Sequence, residues 1–183
     1  MSRATLFTVG HSNRSADELV ELLREDAIEV LVDVRRFPTS QRNPQFEKGA
    51  LQRCLALHGV RYRHEEALGG HRVPLPASRN LGLADPALRG YADHTRTPAF
   101  RAAAERVVAA AREARVVLLC AEARPEGCHR AVLADWLVAQ GHEVVHLVSV
   151  HERVKHGLDP CVGRDERGEW VWRARQGELF GGG

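Results

Sequence analysis

Cys120, Glu122, Cys128, His129 and Arg130 bring two thiols, a carboxylate, an imidazole and a guanidinium into eleven consecutive positions. Thiolates are nucleophiles and metal ligands. Carboxylates and imidazoles move protons near neutral pH. A guanidinium grips phosphate or carboxylate oxygens in bidentate fashion. Pro125 and Gly127 punctuate the segment, so Cys128-His129-Arg130 falls where a helix should begin. Unpaired N–H groups and the positive dipole end at that place favour a bound anion and lower the pKa of a thiol. The plainer alternative makes the cysteines small buried hydrophobes and His129 a helix-end residue.

Two further clusters carry chemistry. Asp33-Val34-Arg35-Arg36 ends an apolar run. Either Asp33 and Arg35 form a structural ion pair, or Arg35 clamps an anionic oxygen while Asp33 orients His11 or His129 or acts as a general base. His11-Ser12-Asn13 follows another apolar run after Gly10. In Gly69-Gly70-His71-Arg72 the glycines permit close backbone approach to a ligand, and Arg72 is placed to reach an anion. No Gly-Lys-Ser/Thr step follows, so this is not a phosphate-loop motif. Tyr62 and Tyr91 are candidates for stacking on a base or sugar, or for packing. Cys120, Cys128, His129 and His11 are also zinc-type donors. The Cys-x7-Cys-His spacing departs from the short-knuckle patterns, however, and the sequence assigns no metal and no cofactor.

These clusters need elements to hold them. Thr5 to Val9, Val30 to Val34, Val60 to Arg63, Val116 to Leu119 and Glu143 to Val148 read as strands. Between them lie helical patterns: Ser15 with Glu18 opens one as a capping box, residues 47–58 form a second before Gly59, and residues 86–92 a short third. Thr97-Pro98 starts the fourth, with Phe100, Ala104, Val107, Val108 and Ala111 inward. Residues 128–140 form the fifth, burying Val132, Leu133, Trp136 and Leu137 before Gly141. Residues 65–85 lack periodicity, as functional loops or lids often do.

Alternating strands and helices predict an α/β fold: one three-layer domain, a mostly parallel sheet with helices on both faces. Right-handed crossovers align the strand exits, so the three polar clusters share one edge. Residues 1–150 form the core. Residues 151–183 read as a small extension on the same domain, with an edge strand at 169–173 and a hairpin turn at 165–168.

The 183 residues suffice for one substantial core, at 44% hydrophobic and 27% charged. No stretch reaches a membrane span of about 20 apolar residues, and the N-terminus lacks a signal-peptide core, so a cytoplasmic location is expected. Cys54, Cys120, Cys128 and Cys161 are then thiols rather than a disulfide framework. Net charge is only +2, yet residues 33–80 hold nine arginines and lysines against four acids. Such a segment suits an anionic partner or is a solvated arginine-rich surface.

Thr8-Val-Gly-His-Ser12, Leu31-Val-Asp-Val-Arg35 with Pro38 and Ser40, Tyr62, Leu68-Gly-Gly-His-Arg72, and Cys120-Ala-Glu122 through Cys128-His-Arg130 together resemble an uncharacterised bacterial and archaeal family, domain of unknown function 488. The resemblance covers residues 5 to about 148 and implies a single α/β domain. It brings no established reaction. The site candidates it implies are His11, Ser12, Asp33, Arg35, Arg72, Cys120, Glu122, Cys128, His129 and Arg130. The family's usual Ser-Arg step reads Ser40-Gln41-Arg42 here. Asp33-Val34-Arg35 and Cys120 also resemble rhodanese-type sulfurtransferases, although the Ala-Glu-Ala-Arg-Pro-Glu segment after Cys120 is not their tight cradle. Gln176-Gly-Glu-Leu-Phe180 is similar to the peptide by which bacterial replication and repair proteins dock on the sliding clamp, with Gln176, Leu179 and Phe180 as anchors.

An enzyme acting on a phosphate-bearing substrate, nucleic acid or a nucleotide, is therefore expected. Arg35, Arg72, Arg130 and Ser12 would bind the anion. Asp33, Glu122, His129, His11, Cys128 and Cys120 would carry the chemistry. The alternatives are rhodanese-like thiol chemistry at Cys120 or Cys128, and a non-enzymatic nucleic-acid or sliding-clamp adaptor.

Overall fold

Short β-branched runs alternate with amphipathic helices, and the computed structural model, which describes residues 2–174, turns each of those runs into a strand. Five are parallel: β1 (Thr5–Gly10), β2 (Val30–Asp33), β3 (Arg61–His64), β4 (Val116–Cys120) and β5 (Glu143–Ser149). A sixth, β6 (Glu152–Lys155), adds antiparallel at one edge, giving the order β3-β2-β4-β1-β5-β6. The helices are α1 (Ala16–Glu25), α2 (Lys48–Leu57), α3 (Pro86–His94), α4 (Pro98–Glu113) and α5 (His129–Ala139).

Local chemistry sets the helix starts. Ser15 Oγ accepts from Glu18 N while the Glu18 carboxylate accepts from Ser15 N, which satisfies both orphan donors. Thr97 caps α4 through Phe100 N, with Pro98 at its first position. Cys128 caps α5 through its sulfur and the N–H of Arg130.

The sheet is covered on both faces, so its central strands are apolar without alternation. Leu31, Val117, Leu119 and Val9 pack against Leu19, Leu22 and Leu23 of α1 and Leu51 and Leu55 of α2. Val30, Val32, Val116 and Leu118 face Tyr91, Phe100, Val107, Val132 and Leu133 from α3, α4 and α5. The chain leaves β1 toward β2 on the first face and leaves β4 toward β5 on the second. β1 and β4 are neighbours, so the crevice between their carboxyl ends is a topological switch point, the usual ligand site of open α/β sheets.

The segment at 169–173 does form a strand, but not on the main sheet. β7 (Val162–Arg164) and β8 (Trp170–Trp172) make their own two-stranded sheet, turning at residues 165–168. Trp172 is fully buried in the core beside α4 and α5. Among the described residues no helix is long and apolar enough to cross a membrane. The tail anchors Gln176, Leu179 and Phe180 lie outside the described residues.

The loop at 65–85 lacks periodicity because polar plugs, not an apolar face, hold it. Asp93 of α3 accepts from Leu75 N, Ser78 Oγ and Asn80 Nδ2, while Asn80 Oδ1 accepts from Trp172 N.

A second buried network runs behind β5, and its direction follows from the acceptors at its end. Asp135 accepts from Trp172 Nε1 and from His156 Nε2, each at 2.9 Å. His156 Nδ1 is then the acceptor for His146 Nε2, at 2.9 Å. His146 Nδ1 in turn accepts from Thr8 Oγ1 at 2.7 Å, and Thr8 accepts from Arg130 Nη1. Burial, chiefly, together with the nearby His156 and Arg130, holds the His146 pKa down to about 4. The unfolded chain takes up this proton near pH 6.5, and the folded chain does so only near pH 4. Stability conferred by neutral His146 is therefore complete above pH 6.5 and lost as the pH falls toward 4. Equilibrium unfolding of the native protein and His146→Gln across this window should differ in slope. The native protein is expected to lose about 2 kcal/mol more. Parallel profiles would remove His146 from the network.

Candidate functional site

The exits of β1 and β4 are zipped together at the switch point. His11 N donates to Cys120 O at 3.0 Å and Ser12 N to Ala121 O at 2.7 Å, with Ser12 at φ 46°. The two exits pass so close at Gly10 that a Cβ there would lie 1.7 Å from the Glu122 carbonyl oxygen.

This crossing presents four reactive side chains together. Cys120 Sγ and Cys128 Sγ lie 2.9 and 3.0 Å from the same oxygen, Glu122 Oε2. They lie 3.6 and 3.8 Å from His129 Nδ1. His129 Nε2 is 3.1 Å from the carbonyl oxygen of Val34, which can only accept. Nε2 therefore carries the proton in the neutral ring, and the Nδ1 lone pair faces both sulfurs. Burial would raise the Glu122 pKa, but hydrogen bonds from the two thiols outweigh it and hold it near 2. Cys128 falls to about 5, chiefly through the Cys120 thiol, against burial and with help from His129 and Arg130. Cys120 is pushed up by the same pairing and by burial. The carboxylate is the stronger acid, so Glu122 is ionised, Cys120 stays a thiol, and Cys128 is the more acidic sulfur.

Asp33 and Arg35 form the adjoining wall. Arg35 Nε and Nη2 reach Asp33 Oδ1 and Oδ2 at 2.9 and 2.6 Å. The Tyr62 hydroxyl donates to Oδ2 at 2.8 Å, and Arg35 N to Oδ1. Asp33 is 0% exposed, with its oxygens engaged in this way. It fixes Arg35 and does not face the cleft. The remaining Arg35 nitrogen, Nη1, is 3.3 Å from His11 Nε2. His11 Nδ1 meets Ser12 O at 2.9 Å, so Nδ1 donates and Nε2 accepts from Arg35. Burial is the main reason that the His11 pKa is lowered, and Arg35 adds to it. His11 also stacks on Phe46, with ring centroids 4.5 Å apart.

A cleft of about 750 Å³ opens over this floor. Among the sequence candidates His11, Ser12, Arg35, Cys120, Glu122, Cys128 and His129 line it. Arg130 lies behind the cluster. It is 1% exposed, its Nη2 donates to the Glu122 carbonyl and its Nη1 to Thr8 Oγ1, so it braces the loop that carries Glu122. Arg72 donates to the Gly69 carbonyl at 3.0 Å and is not part of the cleft lining. Gly69 and Gly70 do allow close approach, but to protein. Cβ atoms there would lie 2.5 Å from Arg36 Cα and 2.8 Å from His129 Nδ1.

Several lining residues take no site role from the sequence alone, although Arg36 stands in the Asp33-Val34-Arg35-Arg36 cluster and Arg42 in the Ser40-Gln41-Arg42 step. Arg36, whose Nη1 reaches His71 O at 2.7 Å, and Arg42 stand on the rim beside Phe37 and Asn43. The basic excess of residues 33–80 was their signal. Asp135, His146 and His156, which back up Arg130 through Thr8, gave none, because their meeting depends on β5–β6 pairing and on the buried Trp172.

No curated protein and no solved structure matches the chain. The family described as Domain of unknown function DUF488 matches residues 15–137, a span that holds Asp33, Arg35 and the whole Cys120–His129 cluster. The chain belongs to that family.

Proposed function

We propose that the protein is an enzyme acting on a phosphate-bearing substrate, a nucleotide or a nucleic acid, bound in this cleft. The observation that carries the reading is one shared cavity. Arg35, Arg36 and Arg42 open onto the same space as Cys120, Glu122, Cys128 and His129. Cations on the rim and proton-moving groups on the floor are what transfer at a phosphate-bearing molecule needs. Glu122, ionised on the floor, is the base candidate, since Asp33 is committed to Arg35 and Tyr62. A cytoplasmic location would keep both thiols reduced. The tail anchors Gln176, Leu179 and Phe180 would recruit such an enzyme to clamp-loaded DNA.

Rhodanese-like chemistry is the second reading, favoured by Cys128 capping α5. Against it, Glu122 Oε2 sits 2.9 Å from Cys120 Sγ, and a carboxylate there opposes an anionic persulfide.

Arg42 is the cleanest probe, because it is exposed on the rim and its loss leaves no buried charge unpaired. Titration with a nucleoside triphosphate and a short single-stranded oligonucleotide should show binding that weakens with salt. Arg42→Ala should weaken it about tenfold and lower the salt slope by about one. Arg24→Ala, on α1, should change neither. Equal losses in both variants, or no binding at low salt, would refute the reading.

A further inference from the structure

We propose that Cys120 Sγ, Cys128 Sγ and His129 Nδ1 bind one zinc-class divalent ion at the floor of the cleft, with Glu122 at the fourth position. The three donor atoms lie within 4.8 Å of one another. In tetrahedral zinc, with Zn–S of about 2.3 Å and Zn–N of about 2.05 Å, sulfur and nitrogen stand about 3.6 Å apart. The observed separations are 3.6 and 3.8 Å, so the ligands are already spaced for the ion.

The imidazole is prepared as a metal ligand. Its Nε2–H is held by the Val34 carbonyl, which leaves the Nδ1 lone pair on the cluster. Gly70, where a Cβ would lie 2.8 Å from Nδ1, lets the loop press against the ring and fixes its place. Two thiolates and an imidazole select zinc, or cobalt as its probe, over magnesium and calcium. Both cysteines are buried, yet they and Glu122 line the cleft, so the carboxylate at the fourth position is the ligand that a substrate oxygen would displace. His11 is not a ligand, since Ser12 O and Arg35 take its two nitrogens.

The binding step balances. One divalent ion enters, two metal–sulfur bonds form, and each sulfur that still carries a proton releases it to solvent. Sequence spacing hides the site because the two cysteines are joined by a loop that turns back from β4 to the start of α5.

The inference deepens the proposed function by naming a Lewis acid for the same floor, but the binding itself does not depend on the substrate. Cobalt(II) titration into reduced, metal-stripped full-length protein tests it. The expected result is one cobalt per chain, with thiolate-to-cobalt charge transfer and intense visible tetrahedral bands that zinc abolishes. Cys120→Ser and Cys128→Ser should each weaken binding at least about 100-fold, and Cys54→Ser should not. Zinc should also protect Cys120 and Cys128 of the native protein from alkylation, a readout that needs no variant to fold. Absent charge transfer, weak octahedral bands, or unprotected thiols would overturn the site. Nucleotide binding in metal-stripped protein is measured separately. No nucleotide binding in a protein that takes up cobalt would count against the proposed function alone, and nucleotide binding in a protein that takes up no cobalt would count against the metal alone.

Discussion

Arg35→Ala is expected to cost 3–5 kcal/mol, on the order of 10 °C in Tm for a domain of this size. Its partner is the reason. Asp33 is 0% exposed, and the guanidinium supplies two of its closest contacts, at 2.9 and 2.6 Å. Removing Arg35 leaves a buried carboxylate facing only the Arg35 backbone N–H and the Tyr62 hydroxyl. Asp33→Asn should cost a similar amount by stranding the guanidinium, whereas Tyr62→Phe should cost about 1 kcal/mol. The double variant Asp33→Val with Arg35→Met should recover most of the loss, because an apolar pair needs no compensation. Denaturant unfolding decides the matter. If Arg35→Ala unfolds at the native midpoint, the pair does not hold the second strand's exit. The same measurement explains why lost ligand binding in Arg35→Ala would be ambiguous and why Arg42 is the better probe of the cleft.

Gly10→Ala should be more damaging than its single methyl implies. The added Cβ would lie 1.7 Å from Glu122 O, 2.5 Å from Glu122 C and 2.9 Å from Ala123 Cα, all backbone atoms. No rotamer relieves that overlap. The β4 exit must move, although Arg130 holds the Glu122 carbonyl and Ser12 N holds Ala121 O. At least about 3 kcal/mol is expected, beyond ordinary overpacking, together with loss of the Cys120–Glu122–Cys128 geometry. Gly127→Ala is the control. Its φ of +75° is strained for alanine, but a Cβ there meets nothing within 4 Å, so about 1 kcal/mol is expected. Equal midpoints for the two variants would mean that the β1 and β4 exits do not cross this tightly.

The α/β plan was legible because its signals are local. Ser15 with Glu18, and Thr97 with Pro98, place helix starts by hydrogen bonds within one turn. Val116–Cys120 reads as a buried strand from its own apolar run. Convergence of the β1, β2 and β4 exits followed from parallel pairing and crossover handedness. Side-chain direction did not follow. Arg130 and Arg72 share the residue type of Arg42, but only three-dimensional packing turns Arg130 under β1 and Arg72 back onto Gly69 O. Spacing likewise concealed that Cys120 and Cys128 share one carboxylate oxygen. The glycines at 69 and 70 signalled close approach without saying to what. Arg36 and His129 supply the answer.

The most direct test of the shared cleft follows the same nucleotide and oligonucleotide titrations residue by residue, by amide chemical-shift mapping. Shifts are expected at His11–Asn13, in residues 35–43 and in residues 120–129, saturating together and needing about tenfold more ligand in Arg42→Ala. Shifts confined to another surface, or a spectrum unchanged by either ligand at low salt, would contradict a phosphate-bearing substrate at the Cys120–Glu122–Cys128–His129 floor.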